Sequence, residues 1–287
     1  MKPAEVSTQT ASRKVSSADG RQFLDHLAVE EPLEIRIALD PLPHRPVSIT
    51  MRTPGDDLEL AVGFLFTEGI IGRREDIKNV RHCIPADGVK NRQNTVVVEL
   101  APGVKIDIKR IQRNFYTSSS CGVCGKSSIE ALNTGVRRLK PNGFAAEADV
   151  IRTLPTFVRR VQTTFERTGG LHASALFSAD GQLEIIREDV GRHNALDKVI
   201  GARFLSGLMP LEAMILFVSG RASFELVQKA LMAGIPILVA VGAPSSLAVE
   251  LAAEYGMTLA GFLREDGFNI YCGGERIRNA AACRTFV

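Results

Sequence analysis

The sequence predicts an α/β protein: an α+β N-terminal module followed by a three-layer α/β C-terminal domain. Three observations carry this expectation. The first half contains segments in which apolar and polar residues alternate with period two, around one helical pattern. The second half alternates short, continuously apolar runs with amphipathic helical patterns, as a mainly parallel sheet covered on both faces does. The length of 287 residues suits about two domains and is ample for a core that needs no disulfide or metal staple.

Taken in order, residues 1–27 carry Ser7, Thr8, Thr10, Ser12, Ser16 and Ser17 among charges and little to bury, so they read as a mobile tail. Order is expected from Ala28. Leu33–Leu39 and Val47–Met51 alternate as two antiparallel strands separated by Pro41 and Pro43. After Pro54-Gly55, Asp56 or Asp57 can cap a helix with Leu60, Phe64 and Leu65 on its apolar face, closed by Gly69. Val96–Val98 and Val104–Ile108 flank an Ala101-Pro102-Gly103 turn and read as a second hairpin. The domain boundary falls after Pro141-Asn142-Gly143, giving modules over 28–145 and 146–287. Beyond it come a helix over Phe157–Arg167, a hairpin of Ala173–Phe177 with Leu183–Ile186, and a helix over His193–Leu205. Strands Met214–Val218, Ile237–Val241 and Thr258–Leu263 then alternate with helices Ser223–Ala233 and Ser245–Tyr255.

Composition excludes several classes. A net charge of +3 is too weak a field for non-specific nucleic-acid binding. Five cysteines, an odd and sparse number, disfavour a secreted disulfide framework. No apolar run approaches the length of a membrane span, and the N-terminus has no apolar signal core, so a cytoplasmic protein with no membrane partner is expected.

The most informative stretch is Ser118-Ser119-Ser120-Cys121-Gly122-Val123-Cys124-Gly125-Lys126, two cysteines three apart among small residues before an expected helix start. Five bases (Lys105, Lys109, Arg110, Arg113 and Lys126) surround it against the single acid Asp107, which favours a thiolate or an anionic ligand. Four readings compete. A structural zinc needs four ligands, and Cys83, Cys272 and Cys283 form no second pair, so no metal is expected. A thioredoxin-like dithiol wants its CxxC on the first helix of a βαβ unit, whereas this one follows a long serine-rich loop. A sulfur carrier would use an accessible thiolate to accept a sulfane sulfur as a persulfide. Two packed cysteines without chemistry are disfavoured by the small, polar neighbours. The loop alone does not separate dithiol from carrier.

With its flanks, the sequence closely resembles the FdhD family over about Glu31 to Ile277. The resemblance rests on an ordered set of motifs. First come Leu58-Glu59-Leu60-Ala61-Val62-Gly63-Phe64 with Thr67-Glu68-Gly69, the CxxC, and Thr168-Gly169-Gly170-Leu171-His172-Ala173. The string Glu188-Asp189-Val190-Gly191-Arg192-His193-Asn194-Ala195-Leu196-Asp197-Lys198 follows, then Ser219-Gly220-Arg221-Ala222-Ser223 with Glu225–Lys229, and Thr258–Phe262. The resemblance implies a sulfur carrier, a sulfurtransferase required for formate dehydrogenase activity. Such a protein takes persulfide sulfur from a cysteine desulfurase and delivers it to a molybdenum cofactor bearing two molybdopterin guanine dinucleotides, its bound substrate. It also implies a homodimer and a C-terminal part similar to cytidine deaminase. Cys121 falls on the family's persulfide cysteine and Cys124 on the second. The family's cofactor-binding segment falls on Phe262-Leu263-Arg264-Glu265-Asp266-Gly267, where the acidic pair is a poor match for an anion.

Deaminase chemistry itself is excluded by the sequence, because His172 is followed by Ala173-Ser174 rather than x-Glu and the only CxxC lies upstream, so no zinc is expected. Further pocket candidates come from position. His172 follows two glycines, and Arg192 and His193 open a helix after Gly191, a ready anion site. Asp197 could orient the His193 imidazole, or with Lys198 form a solvated or ion-paired face. Ser219 and Arg221 sit where a strand end meets a helix start, suited to a diphosphate, including that of the guanine nucleotide moiety. A non-catalytic cofactor chaperone and a CxxC dithiol oxidoreductase are the rival functions.

Overall fold

The computed structural model describes residues 9–39, 43–83, 94–104, 106 and 136–279. The first described element corrects the expectation of a tail. Strands β1 (Thr10–Ser16) and β2 (Gln22–Ala28) form an antiparallel hairpin. Gln9 ties its base down, donating to the Pro54 carbonyl at 3.2 Å and accepting from the Thr164 hydroxyl at 3.0 Å. Phe23, Leu24 and Leu27 stay exposed on it. The polar composition had hidden a strand pair that is anchored by such contacts more than by burial.

Strands β3 (Glu31–Ala38) and β4 (Arg45–Arg52) pair antiparallel as their alternation predicts. They belong to a four-stranded sheet of order β4-β3-β6-β5, with β5 at Ile77–His82 and β6 at Thr95–Leu100. The expected second hairpin is thus replaced: β6 pairs parallel with β3 and antiparallel with β5, a strand too polar to be foreseen. Of 104–108, only Val104 and Ile106 lie among the described residues.

Leu33, Ile35, Val96 and Val98 face helix α1 (Asp57–Thr67), which buries Leu60, Ala61 and Leu65. Each fully buried aliphatic side chain contributes about 1.5–3 kcal/mol. Neither candidate aspartate caps this helix. Asp56 occupies the cap position in the left-handed region (φ 56°) without a capping bond, its carboxylate lying instead 3.4 Å from Arg187. The Asp57 carboxylate instead takes two bonds of 2.9 Å from the buried Arg52.

The C-terminal half is built on a six-stranded sheet of order β13-β12-β11-β10-β8-β9. Its strands are β8 (His172–Phe177), β9 (Leu183–Asp189), β10 (Ile215–Val218), β11 (Ile237–Ala240), β12 (Thr258–Gly261) and β13 (Asn269–Cys272). Only β10–β11 and β11–β12 are parallel; the other three pairs are antiparallel, so the sheet is mixed rather than mainly parallel. The cause is local: the turn at 178–182 returns β9 directly beside β8, leaving no crossover. A short parallel pair, β7 (Ala146–Glu147) with β14 (Ile277–Arg278), brings the two ends of this half together.

Helices cover both sheet faces, giving the three layers expected. On one face, α2 (Ala148–Val161) sets Ile151, Leu154 and Val158 against Phe177, Phe217 and Val239. This helix starts nine residues before the expected Phe157, because its apolar stripe holds helical structure through Pro155. The short α3 (Thr163–Thr168) completes the span foreseen as one helix. On the other face, α4 (Arg192–Leu205), α5 (Phe224–Met232) and α6 (Ser246–Glu254) pack in a core continuous with that of the N-terminal sheet.

The two halves meet where α1 crosses α4. A Cβ at Gly63 would stand 1.8 Å from the Asp197 carbonyl oxygen, and one at Gly201 would stand 1.9 Å from that of Glu59. Backbone therefore touches backbone. Beside the crossing lie two buried ion pairs, so of the two readings of Asp197 and Lys198 the ion-paired one holds and the solvated one does not. Lys198 pairs with Asp189 at 2.7 Å and donates to the carbonyls of Thr53 and Glu188. Asp197 pairs with Lys229 at 2.8 Å and accepts from the Thr67 hydroxyl at 2.9 Å. Burial raises the Asp197 pKa against the pull of Lys229. Burial opposes charge on Lys229 too, but Asp197 and Glu68 outweigh it and raise its pKa.

Replacing Gly63 by Ala must force the helices apart, at a cost of about 3 kcal/mol or more. A thermal melt of Gly63→Ala should show Tm lower by roughly 6–12 °C. Gly72→Ala, whose Cβ would meet nothing closer than 3.7 Å, should melt within about 2 °C of the unaltered chain. Equal melting of the two variants would contradict the close crossing.

Candidate functional site

Strand directions gather five chain segments at one edge of the large sheet. The C-terminal ends of β9, β10, β11 and β12 and the N-terminal end of β8 all point the same way. Open α/β sheets bind ligands at such strand ends. The starts of α4, α5 and α6 lie there too, presenting unsatisfied N–H groups and the positive ends of their dipoles.

His172, Arg192 and Ser219 come together here. The Ser219 hydroxyl accepts from the Ala173 amide at 2.8 Å, pinning the end of β10 to the start of β8. At Gly220 an added Cβ would lie 3.3 Å from His172 Nδ1 and 3.9 Å from Arg192 Cδ. Arg192 Nε is buried and has no hydrogen-bond partner among the described residues, a donor held ready beside the imidazole. Burial, then the charges of Arg192 and His193, lower the His172 pKa, with Asp189 opposing. His172 is therefore neutral at pH 7 and offers one donor and one acceptor.

His193 does not face Asp197, which is committed to Lys229 and Thr67. Its Nε2 lies 3.4 Å from the Ser223 hydroxyl and 3.8 Å from Glu225. Contact with His193, aided by Ser223 and the local backbone, brings the Glu225 pKa down to about 2 against the cost of burial. Ser223 and Glu225 lie within the motif Ser219–Ser223 and the Glu225–Lys229 run, with no role expected of them from sequence. The available signal was their position in the first turn of a helix after a strand.

The loops after β10, β11 and β12 lie side by side. Gly242 donates to the Gly220 carbonyl at 2.9 Å, and Phe262 to the Gly242 carbonyl at 3.2 Å. Gly242 lies so close that a Cβ there would meet Arg221 backbone at 2.9 Å, and this leaves the Arg221 side chain exposed. In the 262–267 segment, Phe262 adopts a left-handed φ of 54° and is exposed. Leu263 is fully buried in the core beside α2, so its side chain anchors the loop and is closed to a ligand. Arg264 donates to the Val241 and Leu263 carbonyls at 2.8 Å, and a turn closes as its amide meets the Gly267 carbonyl at 2.8 Å. Glu265 and Asp266 are exposed, and the Thr156 hydroxyl of α2 donates to Glu265. Cys121, Cys124 and Cys283 lie outside the described residues. Among the described residues, no group of three or more His, Cys, Asp or Glu could hold a metal ion, and no helix is long and apolar enough to cross a membrane.

Residues 28–278 match the model of the FdhD/NarQ family. The chain belongs to that family. It is 52% identical over 262 residues to the sulfur carrier protein FdhD of Streptomyces avermitilis, covering 90% of this chain and 91% of that one. It is 51% identical over 277 residues to that of Mycobacterium tuberculosis, covering 93% and 98%. A solved structure from Desulfotalea psychrophila, assigned as a formate dehydrogenase accessory protein, superposes with a TM-score of 0.71 at 25% identity, covering 93% of this chain and 98% of that one. The FdhD motifs of the chain divide cleanly. Leu58–Gly69 and most of Glu188–Lys198 build the helix crossing, whereas His172, Arg192, His193, Ser219 and Arg221 line the strand ends.

The depressed Glu225 pKa has a signed consequence. The folded value lies below the unfolded one, so its stabilisation is present above about pH 4.5 and is lost as pH falls toward 2. Thermal melts of the chain and of Glu225→Gln should therefore differ most near pH 6, with the unaltered chain higher. The gap should narrow steadily by pH 3, and a gap that widens on acidification would refute the assignment.

Proposed function

We propose that the protein is a sulfur carrier, a sulfurtransferase that loads Cys121 as a persulfide and sulfurates the molybdenum bis(molybdopterin guanine dinucleotide) cofactor needed by formate dehydrogenase. The observation that carries this is the Cys121-x-x-Cys124 sequence in a chain about half identical, over nine-tenths of its length, to relatives named sulfur carrier proteins. The strand-end crevice supports it, since helix starts, Arg192 and Arg221 suit a substrate rich in phosphate.

In the loading step, the Cys121 thiolate attacks the terminal sulfur of a cysteine desulfurase persulfide. A new S–S bond forms as the donor's S–S bond breaks, and the donor cysteine leaves as thiolate with no net oxidation. The basic residues flanking the CxxC favour the thiolate that this attack requires. In delivery, Cys124 has one of two roles. As a resolving thiolate it attacks Cys121 Sγ, releases hydrosulfide to the metal and leaves a Cys121–Cys124 disulfide. Otherwise it tunes Cys121, and no disulfide accumulates. The partners of this reading are the desulfurase, formate dehydrogenase and a second copy of the chain, in the cytoplasm.

Intact mass after incubation with cysteine desulfurase and cysteine provides the test. A gain of about 32 Da per added sulfur, removed by dithiothreitol and absent in Cys121→Ala, is expected. If Cys121→Ala still binds the cofactor and supports formate dehydrogenase activity, the protein is a non-catalytic chaperone. If the chain instead reduces a disulfide substrate and needs both cysteines to do so, it is a dithiol oxidoreductase.

A further inference from the structure

The β1–β2 hairpin is a two-stranded sheet that no other described strand joins. Such a hairpin is marginal by itself in water. Gln9 holds its base, and a Cβ added at Gly170 would lie 3.4 Å from that of Ala28. Gly170 stands two residues before His172, and Pro54, which accepts from Gln9, follows Thr53, whose amide donates to Asp189 at 3.2 Å. The hairpin therefore rises from the same sheet edge as the crevice. Because β2 lies along α3, the open side is that of β1, whose residues are mostly exposed. Bonds of 2.9 Å from the Val29 amide to the Gln9 carbonyl and from the Ser17 amide to the Arg21 carbonyl fix the pairing pattern. Odd-numbered residues of β1 bond to β2, so Thr10, Ser12, Lys14 and Ser16 turn their N–H and C=O groups outward.

The two faces of this edge differ. On one, Ala11 and Val15 lie opposite Leu27 and Phe23, and Phe23 is 51% exposed. On the other, Ser12, Lys14 and Ser16 lie opposite His26, Leu24 and Gln22. Lys14 is exposed and in no ion pair among the described residues; Arg13, on the apolar face, has Asp25 opposite. These charges decide what can dock. A second copy paired along the full length of β1, in either direction, would set Arg13 and Lys14 against their own kind, and like charges directly opposite are destabilising. A strand bearing carboxylates is drawn to the same edge. We propose that β1 receives, as an antiparallel third strand, an extended segment of a partner protein with apolar side chains on one face and acidic ones on the other. Main-chain bonds to Ser12 and Lys14 hold it, and the two faces of the hairpin select it. The pairing stands apart from the sulfur-carrier reading; under that reading, a protein held here stands beside the crevice that takes the cofactor.

Fluorescence anisotropy of the full-length chain with labelled acetyl-Val-Glu-Val-Glu-Val-Glu-amide tests the assignment. This peptide should bind at low ionic strength, and its counterpart with Lys in place of Glu should bind about tenfold more weakly or worse. Residues directly opposite share a face, so the acidic residues lie across from Ser12 and Lys14 and supply the bonded N–H groups. Methylating the main-chain nitrogens of the acidic residues should therefore weaken binding about tenfold or more, whereas methylating those of the valines, which face away, should change it little. Ser12→Pro removes an outward donor and should weaken binding about tenfold. Lys14→Glu, which keeps every main-chain group, should do the same and reverse the preference between the two peptides. Equal binding of the two methylated peptides, an unchanged preference in Lys14→Glu, or failure of the unaltered chain to bind the acidic peptide would overturn the third strand. A sedimentation coefficient that falls in Ser12→Pro would assign the edge to a second copy and overturn the partner segment. Loading of Cys121 is read independently by mass, so each of these failures leaves the sulfur-carrier reading standing.

Discussion

At the α1–α4 crossing, two glycines let main chains touch, with Gly63 under the Asp197 carbonyl and Gly201 under that of Glu59. Such proximity excludes water from the neighbouring polar side chains, and a charge buried this way costs several kcal/mol unless it is paired and hydrogen-bonded. Asp189 and Lys198 meet that requirement with donors and acceptors from β9, α4 and the segment after β4. Asp197, Lys229 and Thr67 meet it with groups from three helices. Because every partner comes from a different element, the pairs fix orientation as well as distance. Asn194 extends the arrangement, bonding to the Met51 carbonyl at 2.7 Å, to the Thr50 hydroxyl at 3.0 Å and to Asp189 at 3.0 Å. The N-terminal sheet is thereby locked to the very turn of α4 that opens the crevice.

This arrangement explains why so long a motif string is tolerant of so little chemistry. In Glu188–Lys198, Asp189, Asn194, Asp197 and Lys198 point into the seam, and only Arg192 and His193 turn toward the strand ends. A helix turn separates the two tasks: residues spaced three or four apart share one face, and the intervening ones take the other. Most of the motif string therefore serves the seam between the halves, and Arg192 and His193 alone of it border the strand ends.

Legibility in the sequence followed the strength of the periodic signal. Fully apolar strands such as Ile215–Val218 and Ile237–Ala240 lay within a residue of their expected limits, because no other environment suits four consecutive buried side chains. Strands whose burial is partial were lost. β5 exposes Lys78, Asn79 and Arg81, and the β1–β2 hairpin shows its apolar residues to solvent, so neither carries a pattern of core burial. The parallel–antiparallel choice is set by connection geometry, to which composition is nearly blind. At the site, Arg192, His193 and Ser219 were legible from glycine-flanked strand-to-helix joints. Glu225 was not, since it acts through His193, more than 30 residues away in the chain.

The two histidines of the crevice show how one edge of a sheet can hold contrasting groups. His172 sits among positive neighbours and partly out of water, and both influences favour the neutral ring. His193, which follows Arg192 at the start of α4, has instead the ionised Glu225 as its neighbour. An anion arriving at the strand ends would meet a donor-rich side formed by Arg192, Arg221 and the helix starts, and a neutral imidazole able to accept as well as donate. A pterin or purine edge, which mixes donors and acceptors, needs the second kind of group; a phosphate needs the first. The crevice supplies both within a few ångströms of Gly220, where the absence of a side chain keeps the space between them open.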